Sequence, residues 1–357
     1  MRVWKKLLVV ALAIAVLSGI VGTAMAMELV SIAEAKEVAK KFIFRISDDK
    51  EFREWKGVKL SSPIVCYDIN DNPTAYLFEL KKDGKYLGYI VVSATKDNYP
   101  ILEFSKGKSP LMRASELGIK PEKVYYLGGV TYFFKQHGKY YDLFGNGVNF
   151  KIIKQGVKEL LKDEKVKKHL AKRSAEAKSQ WKFIEETAKL DSDWYGIHIQ
   201  GVPALLWHRG CTPTAAAMVL GYWDQHGYPK FPDNYTKLID ELADAMGTWD
   251  NGYTPQWQVS SGINTICRKY GYSDWASDVW WVTWDMVTGE ISKYRPFVLT
   301  MVLHPEYTWH SVTVIGYAID INTNSKYILL YNTWDTDVHY TAFGSWLGAN
   351  AHKVVPT

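Results

Sequence analysis

The spacing of apolar residues divides the chain into segments of different structural class. Between Ile32 and Phe44 the apolar residues recur with the period of an amphipathic helix, and Ser31 with Glu34 forms a capping box in front of it. From residue 74 to 106 the pattern changes to short β-branched and aromatic runs separated by turn residues. The N-terminal pattern therefore predicts one helix followed by an antiparallel meander.

Two glycine turns and a lysine-rich stretch complete the N-terminal half. Turns at 82–84 and at His137-Gly138 predict tight hairpins, so we interpret residues 27–150 as one small α+β domain. Residues 151–190 contain many Lys and Arg and few turn formers, which predicts a connector of one or two exposed helices. Such a run is either a solvated helical face or a processing segment, where a protease cuts at little structural cost.

The C-terminal half, residues 191–357, begins with helical patterns and ends with strands. Helices first and antiparallel strands afterwards is the order of an α+β domain. We predict helices at 213–224, 237–246, 262–270 and 284–293, and strands at 296–303, 310–320 and 326–334.

Charge is distributed unevenly between the two halves. Residues 1–190 contain 34 Lys/Arg against 22 Asp/Glu, whereas residues 191–357 contain 9 against 16. The basic excess is confined to one half and no nucleic-acid motif accompanies it, so we expect no nucleic-acid partner. Electrostatic attraction between the halves is the more economical interpretation.

Residues 1–26 have the pattern of a secretory signal peptide. Three basic residues precede an uncharged stretch from 7 to 21, and Ala24-Met25-Ala26 is a small-x-small cleavage site. The uncharged stretch is only slightly shorter than a membrane span, so an uncleaved anchor is the alternative. We expect a secreted or cell-surface protein without a membrane segment after signal cleavage.

The three cysteines, Cys66, Cys211 and Cys267, are odd in number, which leaves at least one thiol unpaired in an oxidising compartment. Whether Cys66 and Cys267 pair stays open. The sequence has no C-x-x-C pair and no histidine cluster at ligand spacing, so we expect neither a metal nor another cofactor.

Cys211 precedes an alanine-rich helical pattern. Gly210 allows a close approach, and Pro213 suits the first turn, so the pattern places Cys211 at a helix N-terminus. The positive end of the helix dipole stabilises a thiolate there, which predicts a lowered thiol pKa and a nucleophilic sulfur. The alternative is a small buried packing residue.

Two later segments supply the partners that a nucleophilic thiol needs. His310 opens an apolar strand and is the best candidate for the base, because imidazole titrates in the required range. Asn332, on the next predicted strand, is positioned to orient the imidazole through its side-chain oxygen, with Trp334 shielding that bond from water.

Together these segments resemble the papain-like cysteine peptidases, whose order of Cys, His and Asn they share. The helix GCTPTAAAMVLGYW and the strand HSVTVIGY are most similar to the bacteriocin-processing peptidase-like branch, and YNTW is similar to the Asn-Ser-Trp signature of papain. The resemblance covers roughly residues 195–340. It implies helices packed on an antiparallel sheet, a peptide or protein substrate, and Cys211, His310 and Asn332 as catalytic residues.

One position departs from the papain-like pattern. That family usually has a Gln about six residues before the Cys, which donates into the oxyanion hole, and no Gln lies nearer here than Gln200. Gln200, Trp207 and His208 are the candidates for the second oxyanion donor or for the cleft wall. Losing one such donor typically costs about 10²- to 10³-fold in rate.

The N-terminal domain resembles the propeptides of streptopain-type peptidases in its helix AEAKEVAKKF and in YLGYIVVSATKDNYPILEFSKG. This resemblance implies an intramolecular partner that covers the active site before activation. A generic α+β spacer or binding module is the alternative. The sequence therefore predicts an exported cysteine endopeptidase made as a zymogen, or a catalytically weak surface module that binds peptides or glycans. It does not define the oligomeric state.

Overall fold

The computed structural model describes residues 28–187, 193–302 and 310–357. The predicted signal peptide lies outside these ranges. Within them, no helix has both the length and the apolar character needed to cross a membrane. The predicted α+β class is confirmed, because helices and one large, mainly antiparallel sheet make up the structure.

The N-terminal half begins with the predicted capping box. Ser31 accepts a hydrogen bond from the N–H of Glu34, whose carboxylate accepts one from the N–H of Ser31. The helices of this half are α1 (Ile32–Ile46), α2 (Pro110–Glu116), α3 (Phe150–Leu160) and α4 (Glu164–Glu186). Its strands are β1 (Lys59–Leu60), β2 (Ile64–Tyr67), β3 (Pro73–Lys82), β4 (Lys85–Ser93), β5 (Ile101–Ser105), β6 (Lys123–Tyr126), β7 (Tyr132–Gln136) and β8 (Lys139–Asp142).

Both predicted hairpin turns are confirmed. Asp83 and Gly84 have φ angles of 50° and 78°, and His137 and Gly138 have 49° and 73°. Positive φ at both central residues gives a turn whose twist matches that of the flanking strands.

The C-terminal half keeps the predicted order, with bounds shifted by a few residues. Its helices are α5 (Cys211–Gln225), α6 (Tyr235–Ala245), α7 (Val259–Lys269) and α8 (Trp284–Ile291). Its strands are β9 (Trp194–His198), β10 (Ala276–Val279), β11 (Phe297–Met301), β12 (His310–Asp320), β13 (Ser325–Tyr331), β14 (His339–Ala342) and β15 (Ala349–Val354).

One sheet runs through both halves. Its strand order is β10-β15-β11-β12-β13-β14-β5-β4-β3-β2-β6-β7-β8, with β9 beside β12 and β1 beside β3. The pairs are antiparallel apart from the parallel pair of β2 and β6. The halves meet where β5 pairs with β14, a contact that we call the seam. Because the sheet is continuous, the division into domains at residues 150 and 190 stays a prediction.

Aromatic packing supports the seam. The ring of Phe104 on β5 stacks on Tyr340 of β14 with ring centroids 4.5 Å apart, and both side chains are buried. Arg45 of α1 forms a buried ion pair with Asp320 at the end of β12. Most ion pairs of the described residues join side chains of the same half, so the expected charge attraction accounts for little of this contact.

The lysine-rich connector is less exposed than predicted. Its two helices are present, but the longer one, α4, buries Ala177, Trp181 and Ile184. The indole N–H of Trp181 donates to the carbonyl of Asn98, and the guanidinium of Arg173 donates to the carbonyl of Ser345. Helix α4 therefore contacts both halves.

Candidate active site

Cys211 is the first residue of α5, as predicted. The chain reaches it through Gly210, where a Cβ atom would lie 2.7 Å from the carbonyl oxygen of Gly252, so this close approach requires glycine. Pro213 lies in the first turn, where its missing N–H costs no intrahelical hydrogen bond. The local sequence thus places the sulfur at the N-terminus of a buried helix.

Strand β12 brings the predicted base to this sulfur. His310 is the first residue of β12, and the N–H of Ser311 donates to the Sγ of Cys211 at 3.4 Å. The hydroxyl groups of Ser311 and Thr212 lie 2.8 Å apart, and the hydroxyl of Thr313 donates to the carbonyl of Ala215. These contacts fix the start of β12 against the start of α5, so the backbone segments that carry Cys211 and His310 are adjacent. Among the described residues, no hydrogen bond joins the His310 ring to the Cys211 sulfur.

The pKa of the Cys211 thiol is shifted in the direction opposite to the predicted one. Cys211 is only 4% exposed, and burial raises its pKa above the ordinary value, with a further rise from the nearby Asp142 carboxylate. The N–H groups of Ser311 and Thr212 act in the opposite direction and do not compensate. The predicted lowering of the Cys211 pKa is therefore wrong for this closed state, because desolvation outweighs the helix dipole.

His310 is buried as well. Burial, with a smaller contribution from His339, lowers its pKa to about 3. Within the part of the chain that the structure describes, neither ring nitrogen has a hydrogen-bond partner. Both the thiol and the imidazole are consequently neutral in this state, and they do not form the ion pair that a thiol nucleophile uses.

Asn332 lies at the same end of the sheet as His310. It directly follows β13, which runs antiparallel to β12. Its side-chain oxygen accepts the N–H groups of Trp334 and Asp335, at 3.1 and 3.3 Å, so the predicted hydrogen bond to the imidazole is not formed. The buried ring of Trp334 instead stacks on His310 itself, with centroids 5.8 Å apart and planes at 17°.

Two of the predicted oxyanion candidates lie elsewhere. Gln200 is exposed. The N–H of the neighbouring Ile199 donates to the carbonyl of Ile315, which lies five residues, or about 16 Å, along β12 from His310. His208 points toward α6, where its Nε2 contacts the carboxylate of Asp240 at 2.8 Å. The structure therefore does not show either side chain at Cys211, and their role as oxyanion donors or cleft residues stays a prediction.

Two aspartates close in sequence to the predicted catalytic residues, Asp320 at the end of β12 and Asp335 after Asn332, already have partners. The carboxylate of Asp335 contacts Nε2 of the buried His339 at 2.9 Å, and Nδ1 of that ring contacts the hydroxyl of Tyr89 at 2.9 Å. Asp320 pairs with Arg45. Neither aspartate contacts His310.

A turn from the N-terminal half covers the site. We call residues 142–146 the plug. Its Phe144 ring stacks on Trp207 with centroids 5.4 Å apart and planes at 22°, and lies 5.8 Å from the ring of His310. The plug therefore fills the space beside the predicted base and, through Asp142, brings a carboxylate near the thiol.

Hydrogen bonds within the plug hold Phe144 at its tip. The carboxylate of Asp142 accepts the N–H groups of Phe144 and Asn146, each at 2.9 Å. Arg113 of α2 donates to the carbonyl of Leu143 at 3.1 Å. Contacts within the N-terminal half thus fix the shape of the turn.

Sequence reasoning did not identify Ser311, Asp142 or Phe144 as site residues. Ser311 directly follows the predicted base. Its position beside His310 was the one weak signal in the sequence that its backbone N–H lies near the thiol. The segment DLFGNG was assigned only to the end of a hairpin. Its polar turn residues signal the turn, and nothing in the sequence indicates which surface the turn contacts.

One comparison with known protein families gives a match. Residues 199–348 match the model of a family described as Peptidase_C39-like, and the matched range contains Cys211, His310 and Asn332. Residues 199–348 are thus similar to the C39-like peptidases, which bears out the coarser part of the predicted resemblance.

Other comparisons add little. No curated protein matches the chain. A crystal structure described as a C39-like peptidase from Bacillus anthracis is 15% identical, with a TM-score of 0.30, and the match covers 46% of this chain and 100% of that chain. Such low similarity supports neither a shared fold nor a shared activity.

Proposed function

We propose that the chain is an exported cysteine endopeptidase made as a zymogen, which hydrolyses peptide bonds through an acyl-enzyme on Cys211. The observation that carries this proposal is the plug, because a ring inserted beside the candidate base, with a carboxylate near the candidate thiol, is the arrangement expected of a blocked active site. The family match of residues 199–348 supports the same chemistry.

The proposed reaction uses Cys211 as the nucleophile and His310 as the base. Once the plug leaves, water reaches both groups and the penalty on their charged forms falls. His310 then accepts the proton of the thiol, and the thiolate attacks the carbonyl carbon of the scissile bond. The imidazolium protonates the leaving amine as the C–N bond breaks, and water, deprotonated by His310, hydrolyses the resulting thioester.

The oxyanion donors are only partly assigned. The N–H of Cys211 is the first of its helix and has no intrahelical acceptor, so it is available to the developing oxyanion. The backbone N–H of Trp207 is already bonded to the carbonyl of Thr333 at 2.7 Å. We therefore assign the second donor to the indole N–H of Trp207.

Maturation completes the zymogen proposal. Residues 27–150 supply the plug, and the connector at 151–190 is the segment where we place the activating cut. Export places the enzyme outside the cytoplasm or at the cell surface, with peptides or proteins as substrates. Mass spectrometry of the secreted protein tests this part. A mature species that begins between about residues 151 and 195 supports a zymogen, and an intact chain from Met27 contradicts it.

A thiol-directed peptide probe tests the catalytic proposal. We expect the probe to label the matured protein at Cys211, so Cys211→Ala abolishes labelling and self-cleavage. Cys267→Ala is the matched control, because Cys267 is buried and its pKa is raised to about 12, so its thiol stays protonated. Labelling that persists in Cys211→Ala contradicts the proposal.

A catalytically weak or inactive module that binds peptides or glycans is the second candidate. It is favoured by the neutral state of both groups and by the absent hydrogen bond between Asn332 and His310. Peptide digestion by a Phe144→Ala variant separates the two candidates, since the module binds peptides without cutting them. Adding an amine acceptor to the same digestion distinguishes hydrolysis from acyl transfer.

A further inference from the structure

We infer that Trp207 and His310 frame a subsite for an aromatic side chain of the substrate, at the residue that directly follows the scissile bond. This inference rests on the proposed function. It adds a substrate preference that neither the family match nor the blocked site requires.

Phe144 shows which chemical group the space accepts. Its ring lies nearly parallel to the indole of Trp207 at 5.4 Å and tilted against His310 at 5.8 Å. Both separations fall in the range of favourable aromatic pairs. When the plug leaves, the indole face loses its aromatic partner, and a Phe, Tyr or Trp side chain of a substrate restores the contact.

Contacts other than the Phe144 ring hold the wall of the subsite in place. The N–H of Trp207 donates to the carbonyl of Thr333 at 2.7 Å, next to Asn332. Behind the indole, a Cβ atom on Gly252 would lie 3.0 Å from the ring, and Gly252 has a φ of 85°. The chain therefore packs closely behind Trp207, so the ring face is preorganised for a ligand.

The chemistry of the proposed reaction assigns the subsite to one side of the scissile bond. His310 protonates the leaving amine, so its ring lies on the leaving-group side. A substrate side chain that contacts both His310 and Trp207 therefore belongs to the leaving peptide. The residue directly after the scissile bond is the one whose side chain begins closest to that amine.

Matched peptides that differ only at this position test the inference. The enzyme is the full chain carrying Phe144→Ala, which removes the competing ring. We expect kcat/KM for Phe or Tyr to exceed that for Ala by about 10- to 100-fold, as aromatic packing in a preformed pocket provides. A preference below about twofold overturns the inference.

Two substitutions of Trp207 separate the ring wall from the indole N–H. Trp207→Phe keeps an aromatic face without the donor, so it lowers kcat for all peptides and retains the preference for Phe over Ala. Trp207→Ala removes both, and we expect the preference to fall to within about twofold. An unchanged preference in Trp207→Ala contradicts the subsite.

Failure of the subsite and failure of the proposed function give different results. Cleavage of all peptides at similar rates overturns the subsite and leaves the peptidase proposal standing. If no peptide is cleaved, the peptidase proposal fails, and binding to a Cys211→Ala/Phe144→Ala variant still tests the subsite by titration calorimetry. The Phe peptide must then bind at least about tenfold more tightly than the Ala peptide, and equal affinity contradicts the inference.

Discussion

The N-terminal half touches the C-terminal half in two very different ways, at the seam and at the plug. At the seam, β5 and β14 share a hydrogen-bonded ladder, and Phe104 stacks on Tyr340 in the buried core. At the plug, one half-buried ring, Phe144, projects from a tight turn toward Trp207 and His310. The seam is a buried strand ladder, whereas the plug meets the C-terminal half through the half-buried Phe144 ring and a hydrogen bond from Asn146 to the carbonyl of Asn251.

Because of this difference, we expect that the thiol can become accessible without the two halves coming apart. Local openings of proteins involve few buried contacts and cost much less free energy than global unfolding. We therefore expect the plug to open while the seam stays paired. A cut in the connector alone does not part the halves, since the sheet and α4 still join them.

The largest expected effect comes from breaking the seam. Phe104→Ala removes a fully buried ring, and such changes typically cost about 3–5 kcal/mol of unfolding free energy. Urea denaturation measures the loss. In native buffer, we expect the rate of Cys211 labelling to stay within about twofold of the wild-type rate. A labelling rate that rises in proportion to the lost stability means that plug and seam open together.

The next effect is a pH dependence of the seam. Glu103 on β5 is fully buried, and burial raises its pKa to about 7, although Tyr132 and the N–H of Val130 donate to its carboxylate. A carboxyl group with a raised folded-state pKa stabilises the fold below its unfolded value, near 4.5, and this contribution is lost as pH rises through 7. We expect the unfolding free energy to fall by about 3 kcal/mol between pH 4.5 and 7.

Glu103→Gln is the matched control for that titration. The amide cannot ionise, so the variant lacks this component of the pH dependence. Urea denaturation at several pH values provides the comparison. Identical slopes of stability against pH in the variant and the wild type contradict the assignment to Glu103.

The smallest effect on stability is expected at the plug. Phe144→Ala removes a half-buried ring from a surface turn, so we expect a loss of about 1 kcal/mol or less. Thermal unfolding of Phe144→Ala beside Phe104→Ala measures the contrast. A loss as large as that of Phe104→Ala shows that the plug belongs to the core and removes the distinction between the two contacts.

Local sequence patterns predicted the elements that carry the site. The alanine-rich run after Gly210 encodes a helix that begins with Cys211, and the apolar run at His310 encodes a strand that begins with that histidine. Both were predictable because capping and periodicity act over a few residues. The resemblance to papain-like peptidases then linked these distant segments.

The environment of the site was not predictable in the same way. A helix N-terminus stabilises a charge by about 1 kcal/mol, whereas full burial shifts a pKa by several units, so the predicted lowering for Cys211 was reversed by tertiary packing. Gln200 stays a prediction as a donor, although β9, which precedes it, pairs along β12 rather than at its start. The contact of Phe144 with His310 depends on how two halves meet, which no local pattern encodes.

The most direct test of the account is the rate at which Cys211 reacts with a small alkylating reagent across pH in wild-type protein and in Phe144→Ala. If the plug holds a latent thiol and imidazole apart from water, Phe144→Ala reacts at least about tenfold faster at pH 7, with a midpoint below the roughly 8.5 of a free thiol. Equal rates and an equally high midpoint in both proteins would contradict the claim that Phe144 blocks a catalytic pair.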